Sequence, residues 1–333
     1  MTNIDPWYNS TNSEDKLGYI SLAILGYCNL NCIFCYVDGD RPGKMEVKQI
    51  KNIIDQCSEL GLEKIQLTGG EPLAYPTEDL REILEYLNGK NISTLLVTNA
   101  TLMTEEIAYI LHKNNVNLGI SFESIDPKVH DELNGSVGAH DKKMAAIGML
   151  KEVGYTKDQN LNIIIKTMKQ NYLSFNDTWK WAIDNGIQPV LDRAIPGVRC
   201  KREWVIEGDE LENLMKGIGE ITGTEQRLPF NDNEACNRWE CGFHIDVSGD
   251  VNICGGVPVS LGNVNEKPIK EIWKNNDILK KIRNLKENIK GYCKICEEHD
   301  ECTGCRGVAY AMTGDMFESD MLCWKYDKNN EKK

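Results

Sequence analysis

The chain has 333 residues, 41% apolar and 27% charged, enough for one broad core or for a main domain with an appendage. Its 51 acidic against 38 basic side chains give a net charge of −13 with no dense Lys/Arg block, so long-range electrostatics disfavour nucleic acid as a partner. Thirteen cysteines exceed core filler, the N-terminus shows no secretory pattern and no stretch is long enough to span a bilayer, so a cytoplasmic chain of reduced, metal-binding thiols away from membranes is expected.

Residues 1–17 read as an N-terminal extension. Short β-rich runs over 19–25, 64–67, 93–97, 117–121, 161–165 and 189–193 then alternate with amphipathic helical patterns near 46–60, 78–88, 104–114, 141–153 and 174–185. This rhythm predicts an α/β domain over 18–205, a parallel sheet with helical crossovers that is either doubly wound or part of a barrel. In both architectures chemistry gathers at the C-terminal ends of the strands. A helical linker follows over 206–230, with its helix at 209–222. Residues 231–326 combine eight or more cysteines with many turn formers, a composition that metal rather than a large core organises. Residues 327–333 read as a polar tail.

Directly after the first strand comes Cys28-Asn-Leu-Asn-Cys32-Ile-Phe-Cys35. Three thiolates in one loop suit three irons of a [4Fe–4S] cube and leave the fourth iron open to a small molecule. A zinc site is the alternative, although the loop contains no His and structural zinc takes four protein ligands. With Phe34 inside this loop and Gly69-Gly70-Glu71-Pro72 after strand two, the sequence resembles the radical S-adenosylmethionine (SAM) superfamily. The resemblance implies a partial (β/α)6 TIM-like barrel whose open iron chelates SAM. It places Gly69, Gly70, Glu71 and Pro72 at the methionine amino group, where glycines admit close backbone approach and Glu71 offers an acceptor to an ammonium. Asn99, at the end of strand three, and Ser121 and Glu123, at the end of strand four, fall where the family contacts SAM, with Glu123 replacing the commoner Asp. Lys166 and Arg193 end strands five and six and are candidates to face the SAM carboxylate or the substrate.

A second set runs Cys236, Cys241, Cys254, then Cys293, Cys296, Cys302, Cys305 and Cys323. It resembles the SPASM extension, a small cysteine-rich domain with two auxiliary [4Fe–4S] clusters. The family pairing puts Cys236, Cys241, Cys254 and Cys305 on one cluster and Cys293, Cys296, Cys302 and Cys323 on the other. The gap Cys302-Thr-Gly-Cys305 is one residue shorter than usual. Two four-cysteine zinc sites are the competing reading.

Two cysteines remain. Cys57 lies in a helical pattern and reads as core, whereas Cys200 follows strand six on the rim and is a candidate hydrogen donor to a substrate radical. His112, His130 and His140 read as surface residues, the latter two on a polar connection. His244 and His299 lie near presumed cluster loops, and Trp273 reads as packing.

By resemblance, this is a radical SAM enzyme with three [4Fe–4S] clusters. It cleaves SAM to a 5′-deoxyadenosyl radical and takes hydrogen from a substrate C–H bond. Oxidative modification of a ribosomal peptide is the first expectation. A small-molecule dehydrogenase, decarboxylase or epimerase in sugar, tetrapyrrole or cofactor biosynthesis is the alternative, and an iron–sulfur electron carrier or zinc-binding interaction module is the reading outside enzymes. Expected partners are an electron donor such as flavodoxin or ferredoxin and, for a peptide, a separate leader-recognition protein. Gly255 after Cys254 removes the Asp base that sulfatase maturases carry there.

Overall fold

The computed structural model describes residues 16–37, 43–156, 160–223, 241–300 and 302–326. Its frame is one nine-stranded sheet. Six parallel strands, β1 (Tyr19–Leu25), β2 (Lys64–Gly69), β3 (Ser93–Thr98), β4 (Asn117–Ser121), β5 (Leu161–Thr167) and β6 (Gln188–Arg193), lie side by side in sequence order. On the other side of β1 follow β7 (Gly242–Ile245), parallel to it, and the antiparallel β8 (Asp250–Cys254) and β9 (Val257–Asn263). The cysteine-rich segment thus continues the sheet of the first domain. β1 sits between two neighbours and all seven of its residues are buried, which accounts for a run without polar alternation.

The crossovers are α1 (Val47–Ser58), α2 (Thr77–Gly89), α3 (Glu105–Lys113), α4 (Pro127–Asn134), α5 (Ala139–Glu152) and α6 (Phe175–Asp184), followed by α7 (Asp209–Thr222). Most bury an apolar stripe, whereas α4 and α5 also bury His130, Asn134, His140 and Lys143. In α1 the buried set is Ile50, Ile53, Ile54 and Cys57, at helical spacing, so Cys57 is a core residue. α7 begins and ends where its pattern predicts.

α4 is new. Its signals are local: Asp126 caps the helix by accepting from Lys128 N and Val129 N, Pro127 occupies the first turn, and Gly135 closes it at φ +60°. The expected polar connection is therefore a helix. It carries His130 fully buried, and His140 at the start of α5 is buried as well, so neither is a surface residue. His112 is exposed on α3, as expected.

In the second domain, α8 (Ile269–Asn275) buries Trp273 completely. The indole meets Phe243 edge to face at 5.9 Å and lies 3.8 Å beneath the Arg283 guanidinium, which also donates to the Trp273 carbonyl. No helix among the described residues is long and apolar enough to cross a membrane. Trp273→Ala is expected to cost about 3–5 kcal/mol. Chemical denaturation reads this directly, and a loss under about 1 kcal/mol would refute the packing role.

Candidate active site and thiol clusters

The thiol loop leaves β1 and is held on two sides. On one, Gly70 N donates to the Leu25 carbonyl at 2.6 Å and Glu71 N to the Tyr27 carbonyl at 2.8 Å. This approach requires glycine: a Cβ on Gly69, at φ +134°, would lie 2.2 Å from the Leu25 oxygen, and one on Gly70 2.0 Å from the Tyr27 oxygen. On the other side, Asn31 N and Ile33 N donate to the carbonyls of Asn134 and Leu133 at the end of α4. Cys28, Cys32 and Cys35 are partly buried, and the neighbouring thiols make Cys28 and Cys32 harder to ionise. Burial is the larger cause, pushing the Cys28 and Cys32 thiols up. Phe34 turns inward to pack with Leu133, Met168 and Cys200.

Glu71 corrects an expectation. Its side chain is fully buried, and rather than offering an acceptor to an ammonium it accepts from Leu73 N, Thr98 Oγ1 and Asn99 N, the last at 2.7 Å. Pro72 begins the short 3₁₀ turn that this carboxylate caps. Burial pushes the Glu71 carboxyl up, and these three donors pull against it. The work of Glu71 is to fix the end of β3. Asn99 then points Nδ2 at Asn29 Oδ1, 3.0 Å, and toward Cys28 Sγ, 3.9 Å, while its Oδ1 accepts from Thr101.

Glu123 is also buried, within a network. Asn134 Nδ2 donates to it at 2.9 Å, Lys143 Nζ lies 3.3 Å away and His130 Nε2 3.7 Å. Lys143, itself fully buried, also donates to the carbonyl of Ser121, at 2.7 Å, and to Asn134 Oδ1. Burial pushes the Glu123 carboxyl up, but Lys143, His130 and Asn134 outweigh it and hold it below the ordinary range. Burial, with Lys143, pushes the His130 imidazole down to about 4.

The ends of β5 and β6 depart from expectation. Arg193 does not face the thiol loop: its guanidinium pairs with the buried Asp320 of the second domain, with Nη2 to Oδ1 at 3.3 Å. Lys166 pairs with Asp192 and lies 6.0 Å from the centre of the Tyr36 ring. Burial presses the Lys166 ammonium down, but Asp192 holds it above its ordinary value. Cys200 is not on an open rim. It is 2% exposed, its sulfur 4.0 Å from Met168 Sδ, and burial pushes its thiol up to about 11.

In the second domain, Cys293, Cys296, Cys302 and Cys323 line one cavity with Gly304, Asp320 and Tyr326. They surround a space rather than meet at a point: among the described residues no three His, Cys, Asp or Glu converge tightly enough for a single ion. Backbone amides already face these sulfurs, Gly304 N to Cys302 at 3.3 Å and Asp320 N to Cys293 at 3.4 Å. Burial pushes Cys302 up to about 11 and Cys323 up to about 12. Cys254 lies close enough to Cys305 to help push the Cys305 thiol up, after burial as the larger cause, and Gly256 N donates to Cys254 at 3.4 Å. Cys241, just before β7, lies at the same end of the β7–β8 hairpin as Cys254 and is buried beside Tyr19 and Leu95. Cys236 falls outside the described residues. His299 Nδ1 sits 3.1 Å from the Cys293 carbonyl, whereas His244 faces Ser21 Oγ at 3.1 Å. No cysteine among those described is in a disulfide. Asp320 and Arg306 were missed by sequence reading because neither belongs to a spaced motif.

Residues 22–181 match the family model of the radical SAM superfamily, and residues 236–305 match SPASM, an iron–sulfur cluster-binding domain. The chain belongs to the radical SAM superfamily and carries a SPASM domain. It is a radical SAM enzyme, and its two domains imply iron–sulfur clusters and SAM binding. The AdoMet-dependent heme synthase of Methanosarcina barkeri is 28% identical, covering 91% of this chain and 95% of that protein. The PqqA peptide cyclase of Bradyrhizobium diazoefficiens is 25% identical, covering 91% and 85%. Among solved structures, Streptococcus suis SuiB bound to S-adenosylmethionine superposes with a TM-score of 0.75 at 21% identity, covering 93% of this chain and 77% of that one, which shows the shared fold.

The buried Glu123–His130 pair sets a pH dependence. The unfolded chain protonates His130 below about 6.5 while the folded chain resists down to about 4, and the depressed Glu123 carboxyl acts in the same direction at lower pH. Apoprotein stability is therefore expected to fall by about 3 kcal/mol as pH drops through this window. Urea melts of the wild type and of His130→Gln check it: the variant loses much of the slope, and an equal slope in both disproves the assignment.

Proposed function

We propose that the chain is a three-cluster radical SAM oxidase, with residues 18–205 as its catalytic barrel and 231–326 as its auxiliary-cluster domain. Cys28, Cys32 and Cys35 hold the open [4Fe–4S] cluster. Cys236, Cys241, Cys254 and Cys305 hold one auxiliary cluster, and Cys293, Cys296, Cys302 and Cys323 the other. The observation that supports this most is the thiol loop itself: three thiols within electrostatic reach of one another just beyond the C-terminal end of β1, beside a backbone crossing that Gly69 and Gly70 permit. When bound there, the reduced cluster and SAM supply a 5′-deoxyadenosyl radical that takes a hydrogen atom from a substrate C–H bond. The chain's own residues position and exclude water. Glu71 fixes Asn99, Asn99 steadies the Cys28 side of the loop, Ser121 and Glu123 hold the edge of the SAM site, and Lys166 presents a cation at the end of β5. Four ligands on each auxiliary cluster suit electron transfer away from the oxidised substrate, with flavodoxin or ferredoxin as the external partner.

For the substrate, we favour oxidation of a tetrapyrrole side chain. Relatives named AdoMet-dependent heme synthase match this chain almost end to end, at higher identity than the PqqA peptide cyclases. Peptide modification is the second reading, supported by those cyclases. Mass spectrometry after turnover separates the two: loss of carbon dioxide from a propionate-bearing haem precursor supports the first, and inertness toward such precursors with a mass change in a cognate peptide overturns it.

Anaerobic reconstitution is expected to load about twelve irons per chain. Cys28→Ala is expected to abolish 5′-deoxyadenosine formation, whereas Cys293→Ala is expected to keep uncoupled SAM cleavage and lose product. A colourless protein carrying stoichiometric zinc would sink the proposal.

In the epimerase alternative the substrate radical is quenched by hydrogen rather than oxidised, and Cys200, whose sulfur burial keeps protonated, is the candidate donor. Turnover in deuterated water tests that role, since product without solvent deuterium excludes it.

A further inference from the structure

Buried cations need compensation. Four charged basic side chains among the described residues are buried: Lys143, Lys166, Arg193 and Arg306. The first three lie against the carboxylates of Glu123, Asp192 and Asp320. Arg306, in the first turn of the helix Arg306–Thr313, is fully buried and forms no ion pair with any described residue. Its Nη1 donates to the carbonyls of Met316, at 2.9 Å, and Glu318, at 2.6 Å, while Nε and Nη2 have no hydrogen-bond partner. Asp315, the carboxylate that senses Arg306, is taken by Lys290.

One of the two unpartnered donors, Nη2, lies beside Gly304, which lines the cavity of the second thiol group. A Cβ built on Gly304 would sit 3.0 Å from Arg306 Nη2 and 3.5 Å from Cys293 Sγ, so the guanidinium and the thiol flank the same point. Arg306 also favours the ionised form of Cys293. Gly304, at φ +64°, lines that cavity and leaves the space between them clear of a side chain.

We infer that Arg306 supplies the positive charge against which the Cys293, Cys296, Cys302 and Cys323 group holds its iron–sulfur cluster. This rests on the assignment of those four cysteines to one cluster. Four thiolates outweigh the charge of an iron–sulfur core, and reduction adds one more negative charge inside a dry site. A fixed guanidinium with two unspent N–H groups stabilises both states, the reduced one more. Arg306 is thus a positioning and charge-balancing residue, one step outside the ligands.

The test uses the full chain, reconstituted anaerobically, with Arg306→Gln and Arg306→Lys. Iron content and EPR-monitored redox titration are the readouts. In Arg306→Gln one auxiliary cluster is expected to become harder to reduce by about tenfold, equivalent to about 59 mV for one electron, or to be lost altogether. Arg306→Lys, which restores the charge without the fork, is expected to recover the potential or, where the glutamine variant fails to load, the iron. Unchanged potentials and iron in Arg306→Gln overturn the inference, and so does a lysine variant that rescues neither, since the arginine would then act only as a clamp on the 316 and 318 carbonyls. The underlying assignment is checked separately: Cys302→Ala with full iron and all cluster signals defeats that assignment whatever the Arg306 variants do.

Discussion

The structure depends on how closely the end of β2 passes the end of β1. The carbonyls of Leu25 and Tyr27 point at the amides of residues 70 and 71, and the space a side chain would need is already filled by those carbonyl oxygens. Two glycines make the crossing possible, and the crossing sets the direction in which the chain leaves β1. The thiol loop inherits that direction. Docking against the last turn of α4 then closes it from the far side, so its three sulfurs are presented by backbone held at both ends. Iron chemistry here is a consequence of strand geometry that two missing Cβ atoms permit.

Buried charge does the rest of the positioning. Glu71 follows β2 and Glu123 follows β4, on either side of β3 in the sheet, and neither reaches solvent. The first spends its oxygens on two backbone amides and a threonine hydroxyl. The second is matched by a lysine and an asparagine that also tie β4 to α4 and α5. Each carboxylate is costly to bury and is satisfied by groups that must be in place for the site to exist, so the network selects one arrangement of the strand ends.

Much of this was legible in the sequence, and the limits have physical causes. The six strands are short apolar, β-rich runs separated by helical patterns, and the boundaries of the elements predicted from them differ from those observed by a residue or two. The cysteine groups were legible because ligand spacing is a local property. α4 escaped because its length of eight residues leaves little periodicity, although Asp126-Pro127 and Gly135 marked its ends. The two histidines placed on the surface followed from that omission. Glu71 and Arg193 were located correctly on their strand ends, but position along a strand does not say which way a long side chain turns. Their partners, Thr98 and Asp320, come from another strand and another domain, and no spacing connects them.

Arg193 and Asp320 also explain how two domains become one catalytic unit. Asp320 accepts from Arg193 at the end of β6 and from Cys305 N, while its own amide faces Cys293. One residue therefore touches the barrel and both auxiliary thiol groups. A buried ion pair contributes little net stability when whole, yet losing either member leaves an uncompensated charge and costs far more. The pair thus acts as a register pin: any drift of the second domain along β6 would strand a charge. Since β7 already joins β1 in the same sheet, the domain is fixed at two separated edges of the barrel. On the proposed reading, in which the second domain accepts electrons, the acceptor must keep a set distance from the site where the substrate is oxidised, and attachment at two edges provides that rigidity.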